Sequence, residues 1–104
     1  MKVVVNRSVG SSFSLSSAGF NRLFELKGSI GQIGEDSKPA EKSIFLFNLS
    51  RNDKDLVQVV EELGTAASGP NAELTVFKIP DNASWSVTEV LGFESIRVNG
   101  DILY

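Results

Sequence analysis

The chain of 104 residues contains no cysteine, no histidine and only three prolines. Without cysteine it can form no disulfide bond, thiolate nucleophile, zinc finger or iron–sulfur site. Without histidine it lacks the commonest general base and metal ligand, and therefore every serine–histidine pair. The remaining carboxylates show no calcium-loop spacing. We therefore predict a protein without metal or cofactor that is not an enzyme.

The chain also has little excess charge of either sign, since thirteen acidic and ten basic residues give a net charge of only −3. A nucleic-acid-binding protein usually has a basic patch, and a DNA mimic has a much denser acidic one. The chain has no apolar stretch of about 18 residues, the length a transmembrane helix needs. The apolar run at residues 3–5 is too short for a signal-peptide core. These features predict a cytoplasmic protein that binds neither nucleic acid nor membranes.

Hydrophobic residues make up 41% of the sequence, which is typical of a soluble globular domain, and its length fits one domain over residues 1–104. Helical periodicity is clear in two places. The first set is Phe20, Leu23, Phe24 and Lys27, and the second is Leu56, Val59, Val60 and Leu63. We expect Ser14 or Ser16 to cap the first helix and Gly28 to end it, while Asn52 or Asp53 begins the second.

The other regular segments have strand character. They are residues 2–5, 42–48, 74–79, 84–89, 95–98 and 101–104, and Asn99-Gly100 favours a type I′ hairpin turn between the last two. Residues 28–42 resemble a loop. The fold class predicted is α+β, with two layers in the order β-α-β-α-β-β-β, in which the closing hairpin over residues 95–104 is counted once. Two helices would pack on one face of a mainly antiparallel sheet.

Candidate chemistry is sparse. The Gly-x-x-Gly spacing within residues 28–34 suits phosphate binding only before a helix, and here the acidic Glu35 and Asp36 follow, so a surface loop is favoured. Asp53 and Asp55 could act as paired carboxylates, but their place at a helix start favours capping and dipole interactions. Arg51 alone could bind an anion.

The aromatic residues have two interpretations each. Phe45 and Phe47 would share one face of a strand, where they could stack bases, but no basic residue alternates with them and core packing is favoured. Trp85 is interpreted as a core residue rather than a binding anchor.

Five segments together resemble a family of small uncharacterised proteins of phages, prophages and bacteria. They are residues 13–16 (FSLS), 51–64 (RNDKDLVQVVEELG), 72–81 (AELTVFKIPD), 85–87 (WSV) and 92–96 (GFESI). Members typically carry Asp-Pro where this chain has Asp53-Lys54, which keeps an N-cap followed by the first helical residue. The resemblance implies a phage or mobile-element origin and no particular activity.

We therefore predict a non-catalytic protein-interaction module, with a small-molecule or nucleotide-binding protein as the alternative. The candidate partner surface has an acidic and a C-terminal part, although Glu61 and Glu62 are most simply a solvated helix face. It comprises Asp53, Glu61, Glu62, Ile102 and Tyr104. The partner would be an unknown protein or, through the outer edge of the last strand, a second copy of the chain.

Overall fold

The computed structural model describes residues 1–28 and 37–103, and it has the α+β architecture that the sequence predicts. The helices and strands follow one another along the chain as β1 (Lys2–Asn6), α1 (Ser17–Lys27), α2 (Pro39–Asn48), α3 (Lys54–Leu63), a 3₁₀ turn (Gly64–Ala67), β2 (Leu74–Lys78), β3 (Trp85–Val90), β4 (Phe93–Val98) and β5 (Asp101–Ile102). None of the described helices is both long and apolar enough to cross a membrane.

The strands form two antiparallel sheets instead of the single sheet predicted. In the first, β1 pairs with β2, with Val4 opposite Val76. In the second, β4 lies between β3 and β5, with Val87 opposite Ile96. The hairpin turn between β4 and β5 has positive φ at both Asn99 and Gly100, which confirms the type I′ prediction.

Strand β1 is buried on both faces. Its consecutive residues 3–6 are all buried, and alternate side chains point to opposite sides of a strand. Val4 belongs to a core cluster with residues of α1 and α3, among them Leu23 and Leu56. Val3 and Val5 belong to a second cluster that contains Ile96 and Val98 of β4. The strand therefore joins the helical part of the core to the second sheet.

Local capping explains where α1 begins and ends and where α3 begins. The Ser16 hydroxyl accepts a hydrogen bond from the Gly19 N–H, and Gly28 ends α1 with a positive φ. The Asp53 carboxylate accepts from the N–H groups of Asp55 and Leu56. Ser16, Gly28 and Asp53 thus confirm the predicted helix ends.

The strand prediction for residues 42–48 is wrong, since they lie in helix α2. Four consecutive apolar residues carry no periodicity that separates a strand from a helix. The decisive signals precede them: Pro39 stands at the first helical position, and the Lys38 N–H donates to the Glu41 carboxylate at 3.4 Å.

The predicted loop over residues 28–42 is wrong at its end, because Pro39–Lys42 is the first part of α2. Gly28 is the cap of α1, and the rest of the Gly-x-x-Gly segment, residues 29–34, lies outside the described residues.

Candidate functional site

The acidic residues predicted as a partner surface lie in ion pairs within the chain. Asp53 and Asp55 hold the Lys27 ammonium between them, with Nζ–Oδ2 distances of 2.7 and 3.0 Å. The three side chains are largely buried. Besides capping α3, Asp53 therefore joins that helix to the end of α1.

The outer face of α3 is paired in the same way. Glu61 accepts from the Lys2 ammonium at 2.7 Å. Glu62 accepts from Arg22 of α1, with the Nε–Oε2 distance 2.8 Å, and from the Gln58 amide. The hydrogen bonds from Arg22 and Gln58 lower the pKa of the Glu62 carboxyl below its usual value. Each of these carboxylates meets a partner in its own chain, so partner binding by them stays a prediction.

The C-terminal part of the predicted surface is exposed. Strand β5 forms the edge of its sheet, and the side chain of Ile102 is 45% exposed. The Leu103 N–H donates to the Ile96 carbonyl at 2.9 Å, which holds the chain end against β4. Tyr104 lies outside the described residues.

The largest exposed apolar side chains of a described helix belong to α2. Phe47 is 88% exposed and Ile44 is 63% exposed, while Leu46 between them is buried. Phe45 points elsewhere, with its ring 5.6 Å from that of Phe24. The prediction that Phe45 and Phe47 share one face is therefore wrong. Each residue of a helix is rotated by about 100° from the one before it, so two residues two positions apart point to nearly opposite sides. We call the exposed pair Ile44 and Phe47 the α2 surface.

Phe47 lies at the wall of a cleft between α1, α2 and the segment that precedes α1. This α1–α2 cleft has a volume of about 550 Å³. Its apolar walls are Phe13, Leu15, Phe20, Pro39, Leu46 and Phe47. Its polar groups are the hydroxyls of Ser12, Ser14, Ser17 and Ser43 and the cations of Lys42 and Arg51. A mainly apolar cavity of this size with a few polar groups is typical of a binding site.

The two cations of the cleft differ in how they are held. The Arg51 guanidinium makes a two-pronged ion pair with the Glu94 carboxylate, at 2.7 and 2.9 Å, and lies 3.6 Å from the centre of the Phe13 ring. It is therefore neutralised within the chain, and anion binding by Arg51 would require breaking that pair. The Lys42 ammonium lies 5.8 Å from the centre of the Phe20 ring and meets no carboxylate among residues 1–28 and 37–103.

A second cavity of about 330 Å³ adjoins the cleft and shares Ser12, Phe13, Phe47 and Arg51 with it. We call it the hairpin pocket, because its far side is the start of β4 and the end of β3. Its carboxylates are Glu89 and Glu94. On the other flank of α2, Ile44 borders a shallow depression of about 320 Å³ with Phe45 and Leu49.

The sequence analysis does not reveal this site, because the strand predicted for residues 42–48 replaces most of helix α2. The signal that could have revealed it is Pro39 followed two residues later by Glu41, a helix start directly before Ile44 and Phe47.

Comparison with known proteins finds no protein-family model, no curated protein and no solved structure that matches this chain.

Proposed function

We propose that the chain is a non-catalytic protein-interaction module that acts in the cytoplasm and derives from a phage or other mobile element. Its binding site is the α2 surface together with the α1–α2 cleft. The observation that carries this proposal is Phe47, a phenylalanine 88% exposed at the wall of an apolar cleft. The origin rests on the resemblance of segments such as residues 51–64.

Exposed aromatic side chains beside a cleft favour binding energetically. Burial of a phenylalanine gives about 1.5–3 kcal/mol, which the isolated chain forgoes at this position. Aromatic residues are enriched among the side chains that dominate protein–protein binding energy. Ile44 would extend the contact along the same helix, so that a partner lying on α2 covers both side chains.

The composition supports a binding role over catalysis. The chain has no histidine or cysteine, and the largely buried Lys27, Asp53 and Asp55 are joined to one another by ion pairs. The partner we propose is a protein segment with a large apolar side chain for the cleft and a carboxylate for Lys42, since Lys42 meets no carboxylate among the described residues.

The test is affinity capture with two matched variants. Phe47→Asp removes the proposed anchor, whereas Leu91→Asp changes a side chain that is equally exposed, at 87%, in the turn between β3 and β4. We expect the wild-type chain and the Leu91 variant to retain the same partner and the Phe47 variant to lose it. Equal retention by all three proteins, with unchanged thermal melting, would contradict the proposal.

The volume of the cleft favours a small-molecule ligand as the second candidate function. About 550 Å³ falls within the range of known small-ligand pockets. A thermal-shift screen of nucleotides and metabolites separates the two candidates. A compound that raises the melting temperature of the wild-type chain but not that of Ser43→Trp, which narrows the cleft, would favour this second function.

We propose in addition that β5 pairs with a second copy of the chain. Its outer edge has no strand partner in the described part of the chain, and unpaired edge groups readily accept another strand. Light scattering over a range of concentrations should show a dimer that Ile102→Lys abolishes and Leu91→Lys leaves intact. A wild-type chain that stays monomeric at high concentration would exclude the pairing.

A further inference from the structure

The α1–α2 cleft and the hairpin pocket are adjoining cavities with shared walls, and we treat them together as one groove. Both cavities are lined by Phe13, Phe47 and Arg51, so these residues mark the junction between them. At the junction Arg51 is already paired with Glu94, and its charge is balanced. The middle of the groove is therefore aromatic and electrically neutral.

Among the described residues, the two cavities of the groove carry opposite charges. Lys42 lies in the cleft and meets no carboxylate in the described part of the chain, and the described residues that line this cavity include no acidic side chain. Glu89 lies in the hairpin pocket and pairs with no cation among the described residues; its cross-strand neighbour Glu94 is the partner of Arg51. Among the described residues, the cleft thus holds one positive charge without a carboxylate partner and the hairpin pocket one negative charge without a cation partner, and Phe47 lines both cavities.

We infer that the groove binds an extended protein segment that carries an apolar side chain between an acidic and a basic residue. The apolar side chain packs at Phe13 and Phe47, the acidic residue faces Lys42, and the basic residue faces Glu89. This inference rests on the proposed function and adds the charge pattern of the partner to it. Complementary charges of this kind set partner choice and orientation more than total affinity.

An extended segment fits the groove better than one compact ligand. The cavities lie side by side and meet at shared walls, so a single occupant of both has to be long and narrow. Successive residues of an extended chain advance about 3.3 Å, which lets side chains a few residues apart reach both ends. A compact molecule would fill the larger cavity and leave Glu89 without a contact.

The test is selection of a displayed random peptide library against defined variants. The wild-type chain should enrich peptides with an acidic residue on one side of an apolar anchor and a basic residue on the other. Lys42→Glu should enrich basic residues on both sides. Glu89→Gln should keep the acidic preference and lose the basic one. Lys54→Glu, a charge reversal on the exposed start of α3, should select like the wild-type chain.

Selected peptides should bind the matching variant about threefold to fivefold more tightly than the mismatched one, as expected for one exposed ion pair. Phe47→Asp in the same experiment separates the two proposals. If enrichment requires Phe47 but the charge preferences do not change with Lys42 or Glu89, the charge pattern is wrong and the interaction module stands. If the wild-type chain and the other variants enrich no peptides beyond those that the Phe47 variant enriches, both proposals fail.

Discussion

At the scale of single residues, Asp53 stabilises the fold in two separable ways. Its carboxylate caps α3, and it forms an ion pair with Lys27. Burial alone would raise the pKa of Asp53, but the hydrogen bonds from Lys27 and from the Leu56 N–H outweigh it, and the pKa is lowered. Because the folded-state pKa lies below the unfolded one, this stabilisation is complete above about pH 4 and is lost as the pH falls through the folded-state pKa.

Asp53→Asn and Asp53→Ala should distinguish the two contributions. Asparagine retains the cap and removes the ion pair, so we expect the free energy of unfolding to fall by about 1 kcal/mol at pH 7. Alanine also removes the cap, which costs about 1 kcal/mol more. Thermal melts from neutral to acidic pH should show the gap between wild type and the asparagine variant closing below about pH 4. A gap that persists at the lowest pH would contradict this assignment.

Gly19 lies in a close contact between two segments that a sequence pattern does not reveal. A glycine inside a helix costs about 1 kcal/mol relative to alanine, and on sequence grounds it only weakens α1. In the structure, a Cβ at this position would lie 2.9 Å from the carbonyl oxygen of Ala67, in the 3₁₀ turn after α3. The glycine is needed for a contact between segments nearly fifty residues apart in the chain, and no local periodicity reveals such a contact.

At the scale of secondary-structure elements, the difference between α3 and α2 explains which predictions were confirmed. The apolar residues of α3 recur with helical spacing, and Leu56, Val59 and Val60 are buried as that spacing requires. The apolar residues of α2 are consecutive, so only their contacts with the rest of the fold decide the outcome. Leu46 is buried among α1 and α3 residues, whereas Phe47 faces outwards.

Contacts between distant parts of the chain also decide the pairing of the sheets and the position of the site. The sequence predicts most strands and the Asn99-Gly100 turn, because alternation and turn residues are local signals. It does not predict that β1 pairs with β2 while the last three strands form a second sheet, since pairing depends on contacts distant in the chain. The α1–α2 cleft lies between elements from three separate segments, and one of them was assigned the wrong conformation.

Alanine substitutions at Phe45 and Phe47 test the helical assignment of α2. In the helix, Phe45 packs against Phe24 and Phe47 is exposed, so Phe45→Ala should lower the free energy of unfolding by about 2 kcal/mol. Phe47→Ala should change it by less than about 0.5 kcal/mol. A strand would place both rings on one face, so equal losses in chemical denaturation would contradict the helix.

At the scale of the whole molecule, the Arg51–Glu94 ion pair joins the helical part of the fold to the second sheet. Glu94 belongs to β4, and its carboxylate also accepts a hydrogen bond from the Asn6 N–H of β1 at 2.7 Å. The Arg51 carbonyl accepts from the Val4 N–H at 2.8 Å, so the two residues together cover the free edge of β1. That edge would otherwise present unpaired backbone groups.

A double-mutant cycle measures how much this connection contributes. Arg51→Ala and Glu94→Ala should each lower the free energy of unfolding by about 2 kcal/mol, since each leaves a partly buried charge without its partner. The double variant should lose about 1–2 kcal/mol less than the sum, because the two residues are in direct contact. Strictly additive losses in urea denaturation would show that the pair does not couple the two parts.

Site-specific photo-crosslinking is the most direct test of the proposal that Phe47 contacts a partner protein. A photoreactive phenylalanine analogue carrying a benzophenone group replaces Phe47 in one variant and the equally exposed Leu91 in another. Each variant is irradiated in the cells that naturally make the protein. We expect one discrete adduct with a different protein from position 47 and none from position 91. No adduct from position 47, or the same adducts from both positions, would contradict it.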